Sequence, residues 1–309
     1  TQAVNRDRGR EVPTILVMPA SSSGFSSAFS SLPSSAAQSA VAQLEEAVAP
    51  APEAGILDTF KNEAKAALDA YVADYHAYFA RHNAKQMPAK KELDPIPRVV
   101  LVPGLGLFGL GNSSRDAKIA ADLAETTVAV VADAERLGTY ECIPEPDIFD
   151  IEYWSLEQAK LSAAAEKPLA RRIVVVTGGA SGIGAATAAA FAREGAEVAV
   201  LDRDASKVKG LGITCDVTDP ASVRAAFDTV AATYGGVDIV VSNAGAAWQG
   251  RIGDVDDATL RKSFELNFWA HQSVAQNAVR IMRAQGLGGC LLFNTSKQAV
   301  NPGPDFGPY

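Results

Sequence analysis

The sequence predicts an α/β protein whose C-terminal part is a doubly wound parallel sheet. From residue 172 onward, short apolar stretches of strand length alternate with longer stretches of helical periodicity. The apolar stretches are nearly continuous hydrophobic runs, which is typical of strands covered on both faces of a parallel sheet. Upstream, residues 58–161 combine a long helix with a shorter α/β pattern. We therefore expect a second, partial α/β unit before the sheet.

The composition is that of a globular protein, and it argues against several classes of function. Hydrophobic residues make up 48% and charged residues 21% of the 309 positions. The net charge of -8 argues against nucleic acid as the main partner, because phosphate binding needs basic patches. No apolar run is long enough to span a membrane, and no signal-peptide pattern is visible. The three cysteines are scattered, so we expect no disulfide framework, no zinc site and a cytoplasmic location.

Four segments follow one another along the chain. The first is rich in serine, with ten serines among residues 21–39, and we expect it to be disordered. Both ends of the chain look cut, since it begins at Thr1 without a methionine and stops at Tyr309. The segments are a low-complexity stretch (1–57), the partial α/β unit (58–161), a polar linker (162–171) and the doubly wound domain (172–309).

Within the partial α/β unit we predict two long helices and a strand over residues 98–102. Ser113 or Ser114 caps the second helix and Gly138 ends it. The first helix starts near Asp58, and its apolar residues recur at three- and four-residue spacing, which forms one apolar stripe. The stripe consists of Phe60, Ala64, Leu68, Tyr71, Tyr75, Tyr78 and Phe79.

Two glycine-rich loops are candidates for a nucleotide-binding site. The first, with Gly104, Gly106 and Gly109, has the formal GxGxxG spacing between a strand and a helix. No second strand ending in an acidic residue follows it, because the nearest acids fall inside the helix itself. We therefore favour a packed structural turn at this first loop.

The second loop, TGGASGIG, is the stronger candidate. Gly178 allows a tight turn out of the strand, while Gly182 and Gly184 leave room for a pyrophosphate to approach a helix N-terminus. Asp202 ends the next strand, 18 residues after Gly184, where a carboxylate can bind both hydroxyls of an adenosine ribose. The same carboxylate would repel a 2′-phosphate, so NAD is favoured over NADP, although Arg203 weakens this preference.

These motifs resemble the short-chain dehydrogenase/reductase family, whose fold is of the Rossmann type. TGGASGIG matches the cofactor loop of the family, CDV places Asp216 where the family contacts adenine, and SNAG matches the motif beside the cofactor. The resemblance covers residues 168–309 and implies that the sheet is incomplete at its C-terminal end. It implies cofactor contacts from Thr177, Gly178, Ser181, Gly182, Ile183, Gly184, Asp202, Asp216, Val217, Asn243, Ala244 and Gly245.

The resemblance also implies three catalytic residues. FELNFWA places Asn267 at the relay asparagine of the family, and Ser296 stands 13 residues before Tyr309, the family interval between serine and tyrosine. In the family, tyrosinate takes the alcohol proton, serine binds the substrate oxygen and a lysine activates the tyrosine. That lysine would follow Tyr309, so we expect this chain to lack dehydrogenase activity. The alternatives are a capping serine, a helix-surface amide and an exposed terminal tyrosine.

The upstream region resembles the segment before the dehydrogenase in bifunctional rhamnulose-1-phosphate aldolase/alcohol dehydrogenases. This resemblance implies a small alcohol or aldehyde substrate of the lactaldehyde type, a place in deoxysugar catabolism and a homo-oligomer at full length. Histidines hold zinc in the aldolase half of that family. Because this chain has only His76, His82 and His271, we assign no metal site. A non-catalytic nucleotide-binding module and an aldolase remnant remain alternative interpretations.

Overall fold

The computed structural model describes residues 14–17, 54–102, 106–155 and 166–309. The chain divides into two compact units, Ile15–Glu166 and Lys167–Tyr309, which are called the N-terminal and C-terminal units below. The serine-rich residues 21–39 lie outside the described residues, as do residues 162–165 of the predicted linker. Thr14–Val17 forms a strand and 54–57 are helical, so these two stretches differ from the disorder predicted there.

The N-terminal unit, within its described residues, combines a small sheet with three helices. The elements are β1 (Thr14–Val17), α1 (Ala54–Asn83), β2 (Val99–Val102), β3 (Gly106–Gly111), α2 (Ser114–Leu137) and α3 (Glu145–Glu152). The strand order is β1-β3-β2, with β2 and β3 antiparallel. The Ser113 side chain caps α2 by accepting a hydrogen bond from the backbone N–H of Asp116, and Gly138 follows its last residue, as predicted.

The glycines of the first loop serve strand–helix packing. Gly106 and Gly109 lie within β3, not in a turn that leads into a helix, and Gly104 is outside the described residues. A Cβ at Gly109 would lie 2.3 Å from the Ala117 carbonyl oxygen of α2, so only glycine lets β3 and α2 approach this closely. The favoured packed structural turn is therefore corrected to a packed strand at Gly106 and Gly109.

The aromatic stripe of α1 is covered only in its C-terminal half. The rings of Tyr78 and Phe79 contact Phe149 of α3, and the Phe149 side chain is 1% exposed. Phe60 and Tyr71 are 42% and 40% exposed, so the predicted apolar stripe is not buried at these two positions. Helical periodicity identifies a face, but it does not show how far along that face a partner extends.

The C-terminal unit alternates strands and helices in the predicted order. Its elements are β4 (Ile173–Thr177), α4 (Gly182–Arg193), β5 (Glu197–Asp202), β6 (Leu211–Thr214), α5 (Pro220–Tyr234), β7 (Ile239–Ser242), α6 (Asp257–Phe264), α7 (Ala270–Gln285) and β8 (Cys290–Phe293). A π-helical turn, Glu265–Trp269, joins α6 to α7. The Asp219 side chain caps α5 by accepting from the backbone N–H of Ala221, which confirms the predicted cap.

All strands of the C-terminal unit are parallel, in the order β6-β5-β4-β7-β8. The sheet is covered on both faces, since alternate residues of β4 belong to two separate cores. Ile173 and Val175 pack with residues of α5 and α7, whereas Val174 and Val176 pack with Ala188 of α4. The predicted doubly wound α/β fold is confirmed.

Two elements of this unit differ from the sequence-based expectation. The strand predicted over 212–217 ends at Thr214, because the chain leaves the sheet there although Cys215 and Val217 remain buried. The single helix predicted over 257–286 is interrupted by the π-turn. The apolar residues of both segments are placed as expected, and only the backbone conformation differs.

β8 forms one edge of the sheet and is poorly covered. It pairs with β7 from Cys290 to Phe293. Leu292 and Phe293 are 45% and 47% exposed, in contrast to the buried side chains of β4. An apolar edge strand of this kind is prone to pair with further chain segments.

Candidate functional site

The candidate site is built on the carboxyl ends of the parallel strands. Thr177 ends β4, Asp202 ends β5, Ser242 ends β7 and Phe293 ends β8. Parallel strands place these ends at one edge of the sheet, and ligands of open α/β sheets bind in the crevice outside that edge. The structure therefore brings the predicted loop residues together with the residues that follow β7 and β8.

The TGGASGIG loop makes the tight turn that its glycines predict. Gly178 and Gly182 have φ angles of 64° and 52°, in the left-handed region that glycine adopts readily. Ser181 is the N-cap residue of α4 and makes no side-chain capping bond. Ile183 lies in the first turn of α4 and is 69% exposed. The N-terminus of α4 therefore faces the sheet edge, where backbone N–H groups can receive an anion.

The Asp202 carboxylate is held beside this loop. Its Oδ2 accepts a hydrogen bond from the backbone N–H of Ala180 at 3.0 Å, and Oδ1 accepts from the N–H of Asp204 at 3.1 Å. Asp202 is half-buried, so one side of the carboxylate remains open to a ligand. Because the carboxylate touches the loop directly, a group that bound it would lie next to the glycine turn.

Asp216 and Val217 follow β6 on the same side as Asp202. The Asp216 Oδ1 accepts hydrogen bonds from the hydroxyl of Thr218 at 2.7 Å and from its backbone N–H at 2.9 Å. These bonds lower the pKa of Asp216, and the positive charge of Arg203 lowers it further. Val217 is buried, 7% exposed, and anchors the turn. Asp216 therefore carries its charge at neutral pH beside Arg203.

The SNAG motif is hydrogen-bonded to the end of β4. The backbone N–H groups of Asn243 and Ala244 both donate to the Thr177 hydroxyl, at 2.9 and 3.0 Å. The Asn243 amide donates to the carbonyl oxygens of Thr177 and Gly178, at 3.0 and 3.3 Å. Asn294, which follows β8, donates to Asn243 Oδ1 at 2.8 Å. One hydrogen-bond network thus connects the ends of β4, β7 and β8.

Asn267 lies in the π-turn and is bound to the chain just after SNAG. Its Oδ1 accepts from the N–H of Ala246 at 3.1 Å, and its Nδ2 donates to the Ala246 carbonyl oxygen at 2.8 Å. Gly245, which precedes Ala246 in the chain, is exposed. The Ser263 hydroxyl accepts a further bond from Nδ2 at 3.1 Å. Asn267 is therefore a bonded amide at the sheet edge, not a free helix-surface side chain.

Ser296 and Tyr309 follow β8 in a segment that folds back onto the loop after β7. The Ser296 hydroxyl accepts from the N–H of Gln298 at 3.2 Å and caps a short 3₁₀ turn, Lys297–Ala299. Gly250 donates to the Asp305 carbonyl oxygen at 2.7 Å and accepts from Gly307 at 2.9 Å. Tyr309 is 39% exposed, and its ring lies 6.4 Å from that of Phe306. The described residues show no hydrogen bond between Ser296 and Tyr309.

A Ser–His pair at this edge was not predicted. Ser242 Oγ lies 2.6 Å from His271 Nδ1, and Ser242 is 2% exposed. Burial lowers the pKa of His271. The sequence contained a partial signal, because His271 stands one helical turn after Asn267 and therefore faces the same side. Nothing in the local pattern shows that Ser242 lies opposite.

The two other histidines lie in the N-terminal unit. His76 Nδ1 lies 2.6 Å from Glu92, and His82 Nε2 lies 3.3 Å from Glu145. No group of three or more His, Cys, Asp or Glu side chains suited to a metal ion occurs among the described residues. None of the helices in the described ranges has the length and apolar character needed to cross a bilayer.

A doubly wound parallel sheet, with a glycine turn and an acidic residue at adjacent strand ends, defines a nucleotide-binding α/β domain. Residues 172–309 match the short chain dehydrogenase family, whose members are oxidoreductases. Residues 45–161 match the second domain of class II aldolases. The two matches reproduce the aldolase/dehydrogenase arrangement that the sequence resembles.

Three relatives illustrate the similarity. The uncharacterised oxidoreductase YuxG of Bacillus subtilis is 33% identical over 264 residues, covering 79% of this chain and 37% of the relative. A (-)-isopiperitenol/(-)-carveol dehydrogenase of Mentha piperita is 34% identical over 159 residues, covering 47% of this chain and 60% of the relative. D-threitol dehydrogenase of Mycolicibacterium smegmatis is 36% identical over 157 residues, covering 46% of this chain and 58% of the relative. The chain thus spans between 37% and 60% of the lengths of these relatives.

Proposed function

We propose that this chain carries the NAD-binding part of a dehydrogenase that acts on small alcohols and aldehydes. The observation that carries the proposal is the Asp202 carboxylate, bound at 3.0 Å to the backbone of the glycine loop. It presents two oxygens beside the turn that receives a pyrophosphate, which suits the two hydroxyls of an adenosine ribose. The cofactor supplies hydride transfer, and the residues of the chain bind and orient it.

The preference for NAD over NADP rests on charge. A 2′-phosphate next to the Asp202 carboxylate would place two negative groups together at a half-buried position. Arg203 is the cation that could offset this repulsion, but its charge already acts on Asp216. Both Asp202 and Asp216 therefore oppose a further anion at the ribose.

The proposed catalytic residues are Ser296, Tyr309 and Asn267. The Ser296 hydroxyl would donate its proton in a hydrogen bond to the substrate oxygen while its oxygen still accepts from the N–H of Gln298. Tyr309, in its deprotonated tyrosinate form, would take the alcohol proton during oxidation and become the neutral phenol. Asn267 would hold the strand-end loop through Ala246. Because the chain spans at most 60% of the lengths of the relatives described above, the dehydrogenase activity itself is part of this proposal.

The match to a class II aldolase domain in residues 45–161 supports a combined aldolase/dehydrogenase architecture. In such a protein the dehydrogenase would receive a short hydroxyaldehyde of the lactaldehyde type, released by cleavage of a deoxysugar phosphate. We also propose a cytoplasmic location and a homo-oligomer for the full-length protein. Separate free cysteines, with Cys215 buried, support a reducing compartment.

The experiment that tests the proposal is a titration of the chain with NADH and NADPH, followed by nicotinamide fluorescence. We expect tighter binding of NADH by the parent chain. Asp202→Ala should lose about tenfold in NADH affinity, and its affinity for NADPH should rise relative to NADH. Asp254→Ala, which removes an exposed carboxylate, is the control and should match the parent. Equal affinities for both cofactors in the parent, or no relative change in the Asp202 variant, would contradict the proposal.

A further inference from the structure

The helix formed by α6, the π-turn and α7 is tied to the sheet edge by two side chains one turn apart. Asn267 binds both backbone groups of Ala246, at 3.1 and 2.8 Å. His271 binds the Ser242 hydroxyl at 2.6 Å. The second contact is sheltered, because Ser242 is 2% exposed and the Phe293 ring packs against the imidazole with a centroid distance of 6.2 Å.

From Ser242 the hydrogen bonds continue toward both halves of the candidate site. The Ser242 carbonyl oxygen accepts from the N–H of Asn294 at 3.0 Å, and Ser296 follows Asn294 by two residues. The Asn294 amide donates to Asn243 at 2.8 Å, and Asn243 donates to the Gly178 carbonyl oxygen at 3.3 Å. His271 is therefore linked through Ser242 to the segment that carries Ser296 and to the glycine loop.

We infer that His271 is a positioning residue for the dehydrogenase site, which holds the ends of β7 and β8 in register through the Ser242 hydroxyl. The inference rests on the proposed function, since it assigns the position of Ser296 to this contact. In the parallel pairing, Ser242 stands opposite Phe293, so a shift of Ser242 moves the residues that follow both strands. His271 touches neither substrate nor cofactor in this scheme and acts only through Ser242.

The protonation state of the ring suits this role. Burial lowers the pKa of His271, so the imidazole is neutral at neutral pH and shares one hydrogen bond with the serine hydroxyl. Asparagine can place an amide atom near the position of Nδ1, whereas leucine fills similar space without a polar atom. The two substitutions therefore separate the hydrogen bond from the packing of the side chain.

The test compares His271→Leu, His271→Asn and Ser242→Ala in the full-length protein. If His271 positions the site, His271→Leu and Ser242→Ala should each lower kcat about tenfold while the KM for NAD stays within about twofold. The double variant should be no slower than either single variant, because both changes break one contact. His271→Asn should recover most of the lost kcat.

A second test uses NMR spectra of the 309-residue chain. His271→Leu should shift the amide resonances of Asn294, Ser296 and Gly178. The control His76→Leu, at an exposed position, should leave these resonances in place.

The outcomes separate this inference from the proposed function. Absence of NADH binding by the parent chain would overturn the proposed function itself. If the parent binds NADH and the full-length enzyme is active, an unchanged kcat in Ser242→Ala would overturn the inference alone. Equal losses in His271→Asn and His271→Leu would also overturn it, because they would assign the effect to packing. Ser242→Ala keeps the test decisive should His271→Leu fail to fold.

Discussion

Gly184 lies so close to Gly178 that a Cβ atom on Gly184 would be 2.1 Å from the Gly178 carbonyl oxygen. The first turn of α4 therefore rests directly on the backbone of the glycine turn. The contact is between main-chain atoms, so no side-chain rotation can relieve an added methyl group. The geometry of the loop and the start of the helix are fixed together.

Gly184→Ala should displace the glycine loop and destabilise the C-terminal unit. Overpacking against backbone costs about 1–3 kcal/mol, and the displaced N–H groups should weaken NADH binding as well. Urea unfolding and NADH titration measure the two effects. Gly253→Ala is the matched control, because no atom lies within 4 Å of its added Cβ, and it should match the parent. Parent-like stability and affinity in Gly184→Ala would rule out this close packing.

His271 should make stability depend on pH. Its folded-state pKa lies below the unfolded value of about 6.5, so the unfolded chain gains a proton that the folded chain resists. Stability is therefore lost as pH falls through that value, and no such loss occurs above it. Between about pH 7.5 and about pH 5.5, His271→Asn should lose less stability than the parent. Denaturant midpoints over this range check the expectation, with His76→Asn as the control. Parallel curves for the parent and His271→Asn would contradict it.

Phe149 should be a main determinant of stability in the N-terminal unit. Its ring is 1% exposed and contacts the rings of Tyr78, Phe79 and Tyr153. Phe149→Ala should cost about 3–5 kcal/mol, through lost burial and the cavity left behind. Hydrogen exchange of peptides from α3 reports this loss locally. Ile151→Ala, on the same helix and 67% exposed in the parent, should change exchange by less than about 0.5 kcal/mol. Similar hydrogen exchange in both variants would show that Phe149 is not a main determinant of the stability of the N-terminal unit.

The edge strand β8 should promote self-association of the 309-residue chain. Leu292 and Phe293 expose apolar surface on a strand that is paired with β7. A lysine on such an edge disfavours pairing with another chain. Sedimentation velocity over a concentration series should therefore show less association for Leu292→Lys than for the parent. Val300→Lys, at a position 90% exposed outside the strand, should behave as the parent does. If both lysine variants associate as the parent does, the edge is not the cause.

Local signals predicted much of the C-terminal unit. The apolar run at Glu197–Asp202 is bounded by turn residues on both sides, and its predicted limits agree with β5. Asp219 before Pro220 marked the start of α5, and the side chain caps that helix as expected. The glycine loop and Asp202 meet because parallel strands end at one edge, which the alternating pattern already implied.

Features that depend on distant residues were not predictable in this way. The π-turn over Glu265–Trp269 has the same apolar spacing as an α-helix, so periodicity does not reveal it. The pairing of Gly250 with the chain near Asp305 joins segments that share no sequence signal. Cys215 and Val217 are buried as strand residues would be, although they lie beyond the last strand residue, Thr214. Burial alone does not specify backbone conformation.

The π-turn makes the number of residues in this helix a constraint on evolution. A π-turn closes i→i+5 hydrogen bonds, so the five residues 265–269 cover nearly the rotation of about four α-helical residues. Deleting one residue from 265–269 would therefore let α6 and α7 run as one regular α-helix with both halves facing nearly as before, but it would remove the local backbone conformation that directs Asn267 to Ala246. Descendants of this sequence can exchange side chains along the helix, whereas a further insertion with no π-turn to absorb it would rotate one half against the other by about 100° and separate Asn267 or His271 from its partner.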